Sequence, residues 1–193
     1  MMQQYLEIKK EYPECLLFYR MGDFYELFLE DAEIASKILD ITLTSRNKGT
    51  DTKIPMCGVP FHSVDQYLSK IVQAGYKAAI CEQVSKPTPG KELVQRKVIR
   101  IITPGTVIDE NLLDKRKNNY LLTFKSERNR TCIAYSDLST GEFNIININS
   151  AELNVIKNEI KIISPSEIVL SNEQYKTDQI LTSMSDLDSI NLN

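Results

Sequence analysis

Residues 15–28 read CLLFYRMGDFYELF. Leu16 to Tyr19 have the length and composition of a buried strand. Gly22 breaks the run, and Asp23 stands where a helix N-cap would accept an orphan backbone N–H. From Asp23 to about Leu39 apolar residues recur at helical spacing: Phe24, Leu27, Phe28, Ile34, Ala35, Ile38 and Leu39. The spacing therefore predicts a strand that hands over to a helix at Phe24-Tyr25-Glu26, a junction that favours anions such as phosphate. Two readings of Phe24 follow. In phase with Leu27, Phe28 and Ile38, it belongs to the core. Turned outward, it is a wedge that stacks on bases, with Glu26 beside it as a hydrogen-bonding partner. The pattern alone does not choose between them.

Working outward, Met2 to Tyr12 predict a short helix stopped by Pro13. Ile41 to Ser45 (ITLTS) alternate as a strand, and Asn47-Lys48-Gly49 is a turn. Ile54-Pro55-Met56-Cys57-Gly58-Val59-Pro60 is ordered but not helical, with two prolines and a glycine. Ser63 to Ala74 predict an amphipathic helix capped by Ser63, with Val64, Tyr67, Leu68 and Ile71 on one face. Tyr76 to Gln83 and Val94 to Thr103 predict two more strands, separated by the Lys86-to-Gly90 loop. This rhythm gives an α/β fold with a mixed sheet of about five or six strands.

Pro104 to Asn119 are polar and turn-rich, with a single helical turn at Asp109 to Asp114, and the pattern changes beyond them. Tyr120 to Lys125, Thr131 to Asp137 and Glu142 to Asn147 predict an antiparallel meander. A helix over Ala151 to Ile163, capped by Ser150, carries the stripe Leu153, Ile156, Ile160 and Ile163. Glu167 to Leu170 predict a strand added parallel to that sheet. The polar residues after Ser171 predict partial helix and poor order.

A chain of 193 residues holds one large domain or two small ones. No apolar run approaches the roughly 20 residues a membrane span needs. The polar N-terminus shows no signal peptide, so the expected compartment is the cytoplasm. Four scattered cysteines and one histidine cannot assemble a zinc cluster, so no metal site is expected. The net charge of −3 argues weakly against general nucleic-acid binding, but the charge is uneven. Residues 1–104 carry 14 Lys+Arg against 13 Asp+Glu, whereas residues 105–193 carry 9 against 13. Lys86, Lys91, Arg96, Lys97 and Arg100 face only Glu92 within 86–100. That patch suits phosphates or, equally, a solvated face.

RMGDFYELF, IPMCGVPFH, AICEQ and RKVIRIITPGT, in this order and spacing, resemble the N-terminal region of the bacterial MutS mismatch-repair family. The resemblance covers essentially the whole chain and is strongest from Met2 to Thr106. It implies a mismatch-recognition domain over 1–106, a linker over 107–118, and a ribonuclease-H-like connector domain, truncated at its C-terminal edge, over 119–193. The family's Phe-x-Glu signature maps onto Phe24-Tyr25-Glu26, making Phe24 the wedge and Glu26 its partner at a mismatch. Arg46, Met56, Arg96, Lys97 and Arg100 become candidate DNA contacts. The family's ATPase, lever and clamp regions lie further along, and no phosphate loop occurs here. A fragment is therefore expected, with no cofactor of its own. ATP and Mg belong to the full-length protein, as does the homodimer. Mismatched duplex DNA and MutL are the implied partners, with no membrane. An interaction module that docks MutL through the connector, with little DNA binding, is the rival reading.

The chemistry fits a mismatch reader. Unstacking is cheapest where pairing is already weak, so an aromatic wedge converts deformability into specificity. A phenyl ring has no polar group to desolvate, while Tyr25 points elsewhere and packs. A carboxylate near phosphates is repelled, which makes Glu26 a discriminator rather than an affinity device. It acts by accepting from a displaced base or, once protonated, by donating. Otherwise Glu26 is a solvated acid on a helix face. An enzymatic reading would use Asp137 in Asp137-Leu138-Ser139-Thr140-Gly141. Beyond Asp137 and Glu142, however, the several carboxylates of a two-metal nuclease are missing.

Overall fold

The computed structural model describes residues 1–46, 53–85, 94–108, 110, 112–114, 116–149, 152–171 and 191–192. Two compact units divide the chain, Met1–Thr103 and Pro104–Asn193. The first runs α1 (Met2–Glu11), β1 (Cys15–Met21), β2 (Phe24–Phe28), α2 (Leu29–Leu39), β3 (Thr44–Arg46), β4 (Ile54–Pro60), α3 (Val64–Gln73), β5 (Lys77–Gln83) and β6 (Arg96–Ile102). Its strands form one mixed sheet in the order β3-β4-β2-β1-β5-β6. β1 and β5 pair parallel, and the other pairings are antiparallel.

Strand alternation sorts the core. Cys15, Leu17, Tyr19, Phe28, Ala79 and Cys81 share one face, closed by Tyr5 of α1. The opposite parity buries Leu16, Phe18, Tyr25, Leu27 and Ile80. The helices α2 and α3 contact each other; α2 packs against β1, β2 and β4, and α3 against β4 and β5. Where β2 leaves the ladder to enter α2, Asp31 takes over. Its carboxylate accepts from the Leu17 N–H at 3.0 Å and the Tyr5 hydroxyl at 3.1 Å, and pairs with Lys9 at 2.8 Å.

The structure corrects the element expected at residues 24–28. Phe24–Phe28 is a strand, and the helix begins only at Leu29. Met21 pairs with Phe24, leaving Gly22-Asp23 as a two-residue turn. Gly22 has φ +59° and Asp23 does not share that region, as a turn with glycine at its first central position requires. Asp23 is therefore a turn residue rather than a helix cap. The five-residue segment FYELF satisfies both the strand and the helix period, and the turn decides. Leu29 opens α2 at φ +57°, a strained value for a branched side chain. β3 begins at Thr44 rather than Ile41, leaving Leu43 exposed. Ile54–Pro60 forms a strand despite its prolines, because they fall near its ends, where a missing N–H is tolerated. The predicted α3 and β5 are found within a residue of their expected bounds. β6 starts two residues late. Ser63 precedes α3 but makes no cap bond; its hydroxyl turns back to the Pro60 carbonyl at 3.3 Å.

The second unit contains β7 (Tyr120–Glu127), β8 (Arg130–Asp137), β9 (Glu142–Ile148), α4 (Leu153–Ile163), β10 (Glu167–Ile168) and β11 (Asn191–Leu192). β7, β8 and β9 form the expected antiparallel meander, and β10 joins β7 in parallel. Ile156 and Ile160 of α4 pack on Leu122, Phe124, Ile133 and Ile168. Gly105 lies so close to Glu167 that a Cβ would meet the Glu167 Cβ at 2.6 Å. The contact lets the Gly105 N–H donate to the buried Glu167 carboxylate at 2.7 Å. In the segment read as a linker, Val107 and Leu112 are buried. Residues 47–52, 86–93, 109, 111, 115, 150, 151, 172–190 and 193 lie outside the described residues. With them fall the Asn47-to-Gly49 turn, Lys48, Lys86, Lys91, the Ser150 cap and the order expected of the C-terminal stretch.

Candidate nucleic-acid interface

The site is built on the β1–β2 hairpin. Its ladder runs Tyr19↔Glu26, Arg20↔Tyr25, Met21↔Phe24. The β1–β5 ladder ends at Tyr19↔Cys81, so the hairpin end projects past it. On the other side Phe24 pairs with Pro60 of β4. Alternation turns Tyr25 inward, where it is buried, and leaves Phe24 47% exposed. Phe24 and Glu26 share one face, about 7 Å apart along the strand.

Glu26 is short of partners. Its side chain is 20% exposed, its Oε2 is buried without a hydrogen bond, and Arg46 Nη1 stands 3.8 Å away, beyond hydrogen-bond reach. Burial raises its pKa above the ordinary glutamate value, against the opposing fields of Arg46 and Arg96. Gly58, paired across from Glu26, has no side chain to cover it. The arrangement is a carboxyl able to accept a hydrogen bond when ionised and to donate one when protonated.

The candidate cations separate. Arg96 is only 8% exposed. Its guanidinium donates to the Arg20 carbonyl at 2.7 Å, the Val94 carbonyl at 2.9 Å and Gln4 Oε1 at 3.2 Å, and sits 4.8 Å from the Tyr19 ring centroid. A group so engaged is a structural clamp and has no surface from which to reach a phosphate. Lys97 and Arg100 are exposed. A register shift between Ile80 and Cys81 makes Ile99 the extra residue of β6 and turns Arg100 to the face opposite Arg96. Met56 is half-buried and packs in the cluster around Tyr5, so its side chain serves the core.

Three residues the sequence reading passed over complete the hairpin. Arg20 Nε donates to the Gly22 carbonyl at 2.6 Å, and Nη1 reaches Glu82 at 3.4 Å. The same Glu82 oxygen accepts from the Tyr25 hydroxyl, whose pKa burial and Glu82 push up to about 12. Phe61, 40% exposed, lies 3.8 Å beneath the Arg20 guanidinium, and its N–H donates to the Asp23 carbonyl at 2.9 Å. A cation directly before a glycine turn was the signal available in RMGD.

Residues 1–111 match the family model of MutS domain I. The chain belongs to the MutS family. Residues 119–191 match MutS domain II. The chain is similar to the DNA mismatch repair protein MutS of Acetivibrio thermocellus, with 52% identity over 181 residues, 93% of this chain and 21% of that protein. It is 54% identical over 172 residues to that of Syntrophomonas wolfei and 49% identical over 172 residues to that of Staphylococcus aureus, in each case 89% of this chain and 20% of the relative. It thus spans about one fifth of the length of these MutS relatives.

Within the MutS domain II match, Asp137 is buried and fully engaged. It accepts from the Ser139 N–H at 2.9 Å, the Ser139 hydroxyl at 2.6 Å and the Asn119 N–H at 2.9 Å. Glu142 accepts from Tyr120, Asn118 and Asn144. Asp137 holds its turn, and Glu142 ties β9 to the start of β7. Among the described residues no three His, Cys, Asp or Glu gather as a metal site, and no helix is long and apolar enough to cross a membrane.

Proposed function

We propose that this chain reads mismatched or unpaired bases in duplex DNA by inserting Phe24 and kinking the duplex, as part of a MutS mismatch-repair protein. One observation carries the reading: a phenyl ring, 47% exposed, held at the projecting end of a hairpin whose other apolar residues are buried or, for Met21, half-buried. A core role would have buried it. Stacking a base on such a ring is worth about 1–3 kcal/mol, and the gain is largest where the duplex is already weak. Glu26 stands on the same face and discriminates, since its carboxyl, whose Oε2 makes no hydrogen bond, offers one to a displaced base and repulsion to an intact backbone. Arg46, Lys97 and Arg100 position the duplex through phosphates. In the larger cytoplasmic protein, ATP and Mg are used outside these two units, the grip on DNA is that of a homodimer, and MutL is the downstream partner. A docking role in the second unit draws on β9, whose Phe143 and Ile145 are exposed on one face.

The test is Phe24→Ala in the complete MutS protein, titrated by fluorescence anisotropy against a G·T duplex and its matched control at low salt. Mismatch preference should fall by roughly 5- to 150-fold, the range that 1–3 kcal/mol represents. An unchanged preference returns Phe24 to a packing role and leaves only backbone contacts.

A further inference from the structure

We propose that Arg20 is a positioning residue for the Phe24 wedge: its guanidinium rivets the Gly22-Asp23 turn to β5 and to Phe61 from the face opposite Phe24. The proposal rests on the reading of Phe24 as the inserting ring. The need for a rivet comes from the topology. Past Tyr19, β1 has lost its β5 ladder, and the turn hangs on the β2–β4 side alone. There, among the described residues, β1 is an edge, with no strand paired on its β5 side. A wedge that unstacks a base step works against a few kcal/mol. If the turn gives way, the stack stays closed.

Arg20 meets that need through three elements at once. Nε holds the Gly22 carbonyl at 2.6 Å, Nη1 reaches Glu82 on β5 at 3.4 Å, and the guanidinium plane lies 3.8 Å from the Phe61 ring centroid. Glu82 is itself fixed by the Tyr25 hydroxyl, and the Phe61 N–H ties back to Asp23, closing the circuit around the turn. The Arg20 side chain is 16% exposed, so it is spent inside the protein rather than offered to DNA. A planar fork that bonds in two directions while stacking on a ring is arginine chemistry, which lysine cannot reproduce. From the other side Arg96 grips the Arg20 carbonyl, so the strand is held at both its backbone and its side chain just ahead of the turn. Prior ordering of the turn lowers the cost of ordering it at the mismatch. Matched DNA, which does not admit the ring, gains nothing from it.

The variant is Arg20→Met in the complete MutS protein, which keeps an unbranched stem out to the Nε position but removes the guanidinium and every side-chain N–H donor. Hydrogen exchange without DNA, read on the peptide spanning residues 20–26, should speed up there and not in the other strands of the first unit. Anisotropy should show mismatch preference reduced roughly fivefold or more, the scale of one forfeited stacking contact, with matched-duplex affinity within about twofold. Arg20→Lys, which keeps only the charge toward Glu82, should fail to restore either reading. Unchanged exchange overturns the proposal, as does an equal loss of matched and mismatched affinity. So does faster exchange with full mismatch preference, provided Phe24→Ala abolishes that preference. If Phe24→Ala leaves the preference intact, the wedge itself fails and the rivet falls with it. The two failures are therefore separable.

Discussion

Replacing Glu26 by glutamine tests the chemistry of the site without any DNA. The carboxyl is half-buried, its Oε2 lacks a hydrogen bond, and Arg46 is 3.8 Å away. Burial holds its pKa above the ordinary 4.5. The folded chain then binds a proton that the unfolded chain has already released. Glu26 is therefore most favourable to folding below about pH 4, and its contribution is lost as pH rises through the folded value. An interior oxygen without a donor costs about 1–3 kcal/mol. Residual exposure of 20% and the Arg46 field place Glu26 at the low end, about 1 kcal/mol. Glu26→Gln should therefore match the parent near pH 4 and exceed it by about 1 kcal/mol at pH 8. Native-state hydrogen exchange of β1 and β2 amides, corrected for intrinsic rates, reads this unit by itself. A difference that does not vary with pH, or a glutamine variant less stable at pH 7, would mean the carboxylate is satisfied and would refute the reasoning. With DNA, the same variant should bind matched duplex more tightly and discriminate less.

Asp31→Ala should destabilise the first unit by about 1–3 kcal/mol, because it leaves the buried Leu17 N–H without its acceptor and reduces Lys9 and Tyr5 to their carbonyl partners; a urea midpoint measures it. Leu29→Gly should change stability by no more than about 1 kcal/mol, because relief of the φ of +57° is offset by loss of a side chain that is 38% exposed and otherwise buried, seen in the same titration. In the complete protein, Lys97→Ala and Arg100→Ala should each lower the slope of log binding constant against log salt by about 0.9. Arg96→Ala should leave that slope alone and reduce stability instead. Burial of Asp137 would raise its pKa, but hydrogen bonds from Ser139, Asn119 and Thr140 outweigh it and lower the value. Its support is thus present above the unfolded carboxyl range and lost as pH falls through the folded value. Amide protection in β7 and β8 should drop below about pH 4 in the parent and lose that dependence in Asp137→Asn.

What the sequence revealed and what it hid have physical causes. The meander of the second unit and the separate strands β1 and β5 were legible, because each depends on a run of one period bounded by turn residues; that β1 and β5 pair in parallel was not. Residues 24–28 misled because five residues cannot separate a period of 2 from 3.6; only the two-residue geometry around Gly22 resolves them. Phe24 and Glu26 stood out as candidates in the shared blocks, but their common face required the strand. Arg96 was read with its basic neighbours because a bulge at Ile99 cannot be seen in the letters, and the bulge is what separates it from Arg100. Arg20, Glu82 and Phe61 were passed over for a similar reason. Their meeting depends on the pairing of β1 with β5 and of β2 with β4, and no local window contains it.

That pairing has a consequence for how the protein comes into being. The hairpin is local, yet the groups that brace it arrive late: Glu82 lies 62 residues beyond Arg20, and Arg96 lies 76 beyond it. At a translation rate of about 5–20 residues per second, the finished hairpin waits roughly 3–12 s for its Glu82 strut and somewhat longer for Arg96. Until β4 and then β5 emerge, Phe18, Tyr19 and Phe28 lack the full sheet that buries them, and Phe24 adds a ring that stays 47% exposed in the folded unit. The nascent first unit is thus left with apolar surface at its hairpin end until its later strands arrive.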